Sequence, residues 1–194
     1  MRSIFAILVL TLGVAFGSTT ASAQYDGGKE KMKGDNPMVG GAAMYKNKNI
    51  IENAVNSADH TTLVAAVKAA GLVETLSGPG PFTVFAPVNS AFEKLPAGTV
   101  DTLLKPENKA LLVKILTYHV VAGNFDAKAV MAAIKAGGGK AELTTVAGGK
   151  LTAMIEGGKV VLMDEKGGKS TVTIADVRQS NGVIHVIDTV VLPN

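Results

Sequence analysis

Cysteine is absent from this 194-residue chain. That excludes a disulfide framework, a thiolate metal site and lipid attachment through a cysteine. Aromatic residues are scarce at 5%, so a core has to be built from Val, Leu, Ile and Ala, which the 47% hydrophobic content supplies. Charge of one sign is also in short supply. The formal balance is +3 and falls to +2 without Arg2. The lysines are scattered, so obligatory nucleic-acid binding is not indicated. The densest cluster, Lys29 to Lys33, belongs to a tail and serves solubility. No apolar run reaches the roughly 20 residues of a membrane-spanning helix.

The chain does have a short apolar run at its amino end. Met1-Arg2 gives a positive start, Ile4 to Phe16 is apolar apart from small interruptions, and "ASA" at Ala21 to Ala23 supplies small residues. This pattern predicts a secretory signal peptide over 1–23 cleaved after Ala23, hence export to the periplasm, the cell surface or the medium. Residues 24–47 are rich in Gly, Lys, Asn and Met without periodicity and read as a flexible leader. The folded domain is expected over 48–194.

Within that domain, Ile50, Ile51, Ala54 and Val55, then Leu63, Val64 and Val67, recur at helical spacing, with Asp59 or Thr61 available as a cap. "PFTVFAP" is a strand bounded by Gly and Pro. The segment "VNSAFEKLP" follows as a helix capped by Asn89 or Ser90 and stopped by Pro96. Two further helices lie around Val100 to Leu104 and from Pro106 onward, and another ends at Gly137 to Gly139. Beyond Ala141, Val, Ile, Leu and Thr runs alternate with Gly-Gly turns, which predicts antiparallel hairpins. Helices precede strands, and the early strand needs a partner in the later sheet, so the fold class is α+β. Met131, Met154 and Met163 are expected as core fillers, while Met32, Met38 and Met44 lie in the leader.

Three stretches resemble the signatures of the fasciclin (FAS1) domain family. They are "GPFTVFAPVNSAFEKL" from Gly80, "ILTYHVV" from Ile115 and "NGVIHVIDTVVLP" from Asn181, in that order and across nearly the whole predicted domain. Val88 departs from the pattern, since many members carry a hydroxyl or other polar residue there. The resemblance implies a FAS1 fold, a twisted β-sandwich or wedge with helices packed on one side. It further implies a role as an adhesion or interaction module without a general catalytic activity. It also implies a partner contact at the tyrosine-histidine motif, Tyr118 and His119. The same pair is equally able to act as a packing and hydrogen-bonding anchor, with the Tyr118 hydroxyl near solvent at a helix end.

The remaining polar candidates have structural explanations. His185 sits in a strand apolar on both faces and is expected to satisfy its nitrogens on backbone or a carboxylate. Asp188 is expected to bond local backbone, Asp176 to organise the turn before the last strand, and Asn181-Gly182 to form a turn. No nucleophile elbow, HExxH pair or phosphate loop is present, and His60, His119 and His185 are too dispersed for a zinc site. No catalytic residue, metal or cofactor is indicated. Three roles fit: an exported module binding a cell-surface or matrix protein or polysaccharide, a structural envelope or biofilm scaffold, and a small-ligand protein or hydrolase using His119 or His185. Neither the partner nor the oligomeric state can be read from the residues.

Overall fold

The computed structural model describes residues 36–194, so the signal segment, the Lys29 to Lys33 cluster and the first part of the leader lie outside it. The later part of the leader corrects the expectation. Strand β1 (Met38–Val39) pairs with β2 (Ala42–Ala43), and Val39 and Met44 are buried in the core. Two-residue strands are too short to show periodicity.

The helical part follows. Helix α1 (Ile50–Ala54) starts at a capping box, in which Asn49 accepts from the Glu52 N–H and Glu52 from the Asn49 N–H. Next come α2 (Thr61–Ala70) and α3 (Val73–Ser77), then the strand β3 (Phe82–Pro87), α4 (Asn89–Glu93), α5 (Thr99–Leu103) and α6 (Lys109–Tyr118). Pro106 opens a separate short 3₁₀ turn ahead of α6. The expected caps are redistributed. Neither Asp59 nor Thr61 caps α2, and Asn89 does not cap its own helix. Instead, the Asn89 side chain accepts the Thr62 N–H at 3.0 Å and donates to the Ala58 carbonyl, so one residue of α4 closes the start of α2. Val88 stands at the N-cap of α4, where it has no oxygen to offer.

The sheet is completed by β4 (Val120–Ala122), β5 (Lys140–Thr144), β6 (Lys150–Glu156), β7 (Lys159–Met163), β8 (Lys169–Gln179) and β9 (Gly182–Ile187), with α7 (Ala127–Ala136) crossing between β4 and β5. Strand order is β4-β3-β9-β8-β7-β6-β5. The early strand finds its partner here, since β3 runs parallel to β9 with Phe85 beside His185; every other pairing is antiparallel. The two edges nearly meet. Val121 bridges Thr145, and the Val146 N–H donates to the Val120 carbonyl at 2.7 Å, curling the sheet almost closed.

Strands β3 and β9 form the wall between two cores. Val84, Ala86, Ile184 and Val186 face α1, α2 and α6 on one side. Phe85 and Ile187 face the inside of the curl, with Leu151, Leu162, and Val130 of α7. A strand buried on both faces has to be apolar throughout, and each such side chain contributes about 1.5–3 kcal/mol by leaving water. Met154 and the half-buried Met163 lie in the sheet, but Met131 is exposed on α7, because its neighbours Val130 and Ile134 make the buried face. No helix among the described residues is long and apolar enough to cross a membrane.

Candidate functional site

Helix α6 ends at Tyr118, and His119 caps it before the chain turns into β4. The structure places both side chains inside the protein, with Tyr118 0% and His119 3% exposed. This corrects the solvent-facing hydroxyl expected from the sequence. The Tyr118 hydroxyl donates to the Lys150 carbonyl at 2.7 Å and accepts from the Glu165 N–H at 3.2 Å. Burial pushes the phenol up to about 12; the Glu165 backbone bond works against this, and the Glu165 and Asp164 charges add to it. Gly149 lies against the ring, where a Cβ would sit 2.8 Å from Tyr118 Cε2.

His119 is held just as firmly. Its Nε2 accepts from the Val191 N–H at 3.3 Å, which assigns the ring proton to Nδ1, donating to the Ile115 carbonyl at 2.8 Å. Burial pulls its pKa down to about 4, against the Ile115 carbonyl and the Asp164 charge. Together the two side chains tie α6 to β6, to the β7–β8 turn and to the C-terminal segment. They anchor these elements to one another.

His185 lies on the opposite side of Phe85, with ring centroids 5.6 Å apart and planes inclined by 25°. Its Nε2–H donates to the Phe125 carbonyl at 2.7 Å, and Nδ1 faces the Asp176 N–H at 3.4 Å. Burial lowers its pKa, opposed by the Phe125 carbonyl and the charges of Asp176 and Asp126. Asp176 departs from the expected position. It occupies a bulge inside β8, with φ of 60°, and its carboxylate accepts the Ala127 N–H at the start of α7. Asp is among the few residues that tolerate this conformation, and the bulge turns its side chain toward a helix end.

Asp188 accepts from the Thr171 N–H at 2.8 Å and from Thr189 Oγ1, with Lys94 Nζ 3.9 Å away. Burial would raise its pKa, but these bonds, the ammonium and the Ser170 hydroxyl outweigh it and hold the carboxyl below its ordinary value. Asn181 does more than turn the chain. Its side chain accepts the Ile50 N–H and donates to the Leu76 and Gly78 carbonyls, joining α1, α3 and the final hairpin. Gly182 beside it admits no side chain, because a Cβ would lie 2.0 Å from the Phe82 carbonyl oxygen.

Several other buried polar residues carry no local signal of their role. Asn53 bridges Tyr45 and Gln179. The Thr83 hydroxyl joins the Gly123 carbonyl to the Phe125 N–H. Asp164 closes the β7–β8 turn and accepts the Leu192 N–H. Their partners are far apart in the chain, and only an apolar flank marks them. No group of three or more His, Asp or Glu side chains gathers as a metal site among the described residues.

Outside this anchored interior, a groove of about 350 Å³ runs between α5, α6 and the C-terminal segment. Leu95, Pro96, Leu103, Leu192 and the half-exposed Leu111 line it, and Lys114 and Lys166 border it. The Lys114 ammonium donates to the Asn194 carbonyl. Glu165, the nearby carboxylate, accepts from the Lys150 and Asn194 N–H groups, which lower its pKa together with the Lys114 charge.

The fasciclin domain family matches residues 58–193. Protein sll1483 of Synechocystis is 50% identical over 98% of this chain and 96% of its own length. The immunogenic protein MPB70 of Mycobacterium bovis is 37% identical over 72% of this chain and 66% of its own. Among solved structures, the FAS1 domain pair from the insect cell adhesion molecule Fasciclin I superposes with a TM-score of 0.66. That match has 20% identity and covers 75% of this chain and 51% of that one. The three sequence signatures, the parallel β3–β9 wall and these matches agree: the chain belongs to the fasciclin domain family.

Proposed function

We propose that this protein is an exported interaction module that binds a macromolecular partner at the cell surface or in the extracellular matrix. It works by presenting a preformed surface, without turning over a substrate. The observation carrying this reading is the contrast between the tyrosine-histidine motif, wholly committed to internal bonds, and the open groove on the same helix. The contact is therefore assigned to the groove. Its apolar walls suit an aliphatic or aromatic anchor, and Lys114 and Lys166 suit carboxylates beside it, which together describe an acidic protein segment. Support also comes from the name of the insect relative, a cell adhesion molecule.

The test is concentration-dependent binding of the full chain to intact cells and extracellular polymers, beside a Leu111→Glu/Lys114→Glu variant checked for folding by circular dichroism. Saturable binding to a protein component, lost in the folded variant, is the expected result. Binding retained in the variant moves the contact elsewhere. Non-saturable association with polysaccharide, or with the protein itself, favours a structural role in the envelope or biofilm.

A further inference from the structure

A second cavity, of about 50 Å³, lies between α1, α2 and α3 and the outer face of the β3–β9 wall. Val67, Val84 and Ile184 are among its buried walls, while Ile51, Val64 and Val73 are only half-buried where it opens to solvent. Ala54 of α1 and Ala86 of β3 also line it and stop at Cβ, which leaves space that larger side chains would fill. The lining is apolar throughout. His60, Ser57 and His119 stand around the cavity with their polar atoms turned elsewhere. The Ser57 hydroxyl lies 2.8 Å from His60 Nδ1, the Ala86 carbonyl faces the His60 ring, and both His119 nitrogens are bonded. Lys68 borders the mouth and is exposed, so its stem lies along the apolar rim while its ammonium stays in water.

Size and polarity together decide what such a space admits. Water fits by size, at about 30 Å³ a molecule, but each water needs two to four polar partners and this lining offers none, so the space stays dry. The walls of a dry cavity lack contacts on one side, and an apolar guest restores them. An aromatic ring is too large, since a dry cavity that takes benzene measures about 150 Å³ and this one is roughly a third of that. The methyl end of an unbranched chain is narrow enough. The half-buried rim of Ile51, Val64 and Val73 then continues the apolar surface outward along the chain, and a polar head remains in water.

We infer that this cavity is a binding site for the end of a linear saturated hydrocarbon chain, with the terminal carbons against Val67, Val84 and Ile184 and the next methylenes against Ile51, Val64 and Val73. The chain belongs to an amphiphile, either a free fatty acid or a lipid, whose head group stays outside. Recognition rests on shape and on burial of apolar surface. Each methylene that leaves water strengthens binding about fourfold, until the chain passes the rim.

The experiment is titration of the full chain with hexanoate, heptanoate, octanoate and decanoate, each below its aggregation concentration, followed by nuclear magnetic resonance of the Val, Ile and Leu methyls. The expected result is saturable binding that tightens about fourfold per methylene and shifts the Val67, Val84 and Ile184 methyls. Cyclohexanecarboxylate, with the carbon count of heptanoate, should bind about tenfold more weakly than heptanoate because a ring overfills the space. Ala54→Leu closes the opening from α1 and should abolish binding, with circular dichroism reporting the fold; Val64→Phe does the same from α2 should the first variant fail to fold. Association with phosphatidylcholine vesicles, lost in the blocked variant, identifies a lipid chain as the occupant. Alkanoate binding without vesicle association identifies a free fatty acid. The inference is overturned if decanoate does not saturate, if affinity does not rise with chain length, or if the ring compound binds as tightly as heptanoate. It is equally overturned if the shifted methyls are those of Leu103, Leu111 and Leu192 in the groove, or if the folded blocked variant binds as tightly as the parent.

Discussion

The two cores on either side of the β3–β9 wall handle their histidines differently. Inside the curl, His185 has a partner at each ring nitrogen and stacks on Phe85; His119, between the two cores at the end of α6, is likewise doubly bonded. On the helical side, His60 has Nδ1 on the Ser57 hydroxyl, only three residues away, and the Ala86 carbonyl faces its ring. The difference teaches that burial alone does not define a histidine's role. A ring bonded at both nitrogens to remote backbone specifies one arrangement of the chain, whereas a ring tied to a hydroxyl three residues away mainly fixes its own loop.

The strongest way to break the bonded side is Tyr118→Ala. It removes a wholly buried ring and leaves the Lys150 carbonyl and Glu165 N–H without their partner, so urea unfolding should show a loss of about 4 kcal/mol. Acid should come next. His119 has a folded pKa of about 4 against an ordinary 6.5, so between these values the unfolded chain binds the extra proton. Stability is then full above pH 6.5 and falls as pH drops toward 4, by roughly 3 kcal/mol from this residue. His60 and His185, also lowered, act in the same direction. Equilibrium unfolding at a series of pH values measures the slope, and a His119→Gln variant should flatten it.

A matched pair of substitutions compares the two sides directly. His185→Leu leaves the Phe125 carbonyl and the Asp176 N–H unpaired and should cost about 2 kcal/mol, whereas His60→Leu leaves chiefly the Ser57 hydroxyl unpaired and should cost about 1 kcal/mol. Equal losses in thermal or urea unfolding would erase the distinction. The smallest effect is expected from Val88→Thr. It keeps the methyl packing of a half-buried residue and adds the N-cap oxygen that α4 lacks, for a gain of about 1 kcal/mol by the same measurement.

Much of this architecture is legible in the residues, because the wall has to be apolar on both faces. The runs around Phe85 and His185 could hardly be anything but central strands, and the Gly-Gly turns punctuate the later hairpins. The signals fail where a residue's partner is remote. Tyr118 looks like a helix-end residue with a free hydroxyl until β6 and the β7–β8 turn bring Lys150 and Glu165 to it. Asn89 has the composition of a local cap and serves another helix. Asp176 sits where a turn is expected and lies within a strand, because a bulge leaves no mark in hydrophobic periodicity. The groove and the His60 cavity are spaces between elements, and spaces have no spelling in a sequence.

The parallel pairing of β3 with β9 has a consequence for the order of events during folding. Phe82 meets Gly182, a hundred positions further along, so neither core can close until the final strand has arrived. Contacts of such long range carry a large loop-closure entropy and slow the rate-limiting step. As the chain emerges during synthesis, its early helices and β3 stay without their central neighbour until almost every residue has been made. The time spent in that open state is set by topology, and mutations that stabilise the early helices would leave it nearly unchanged.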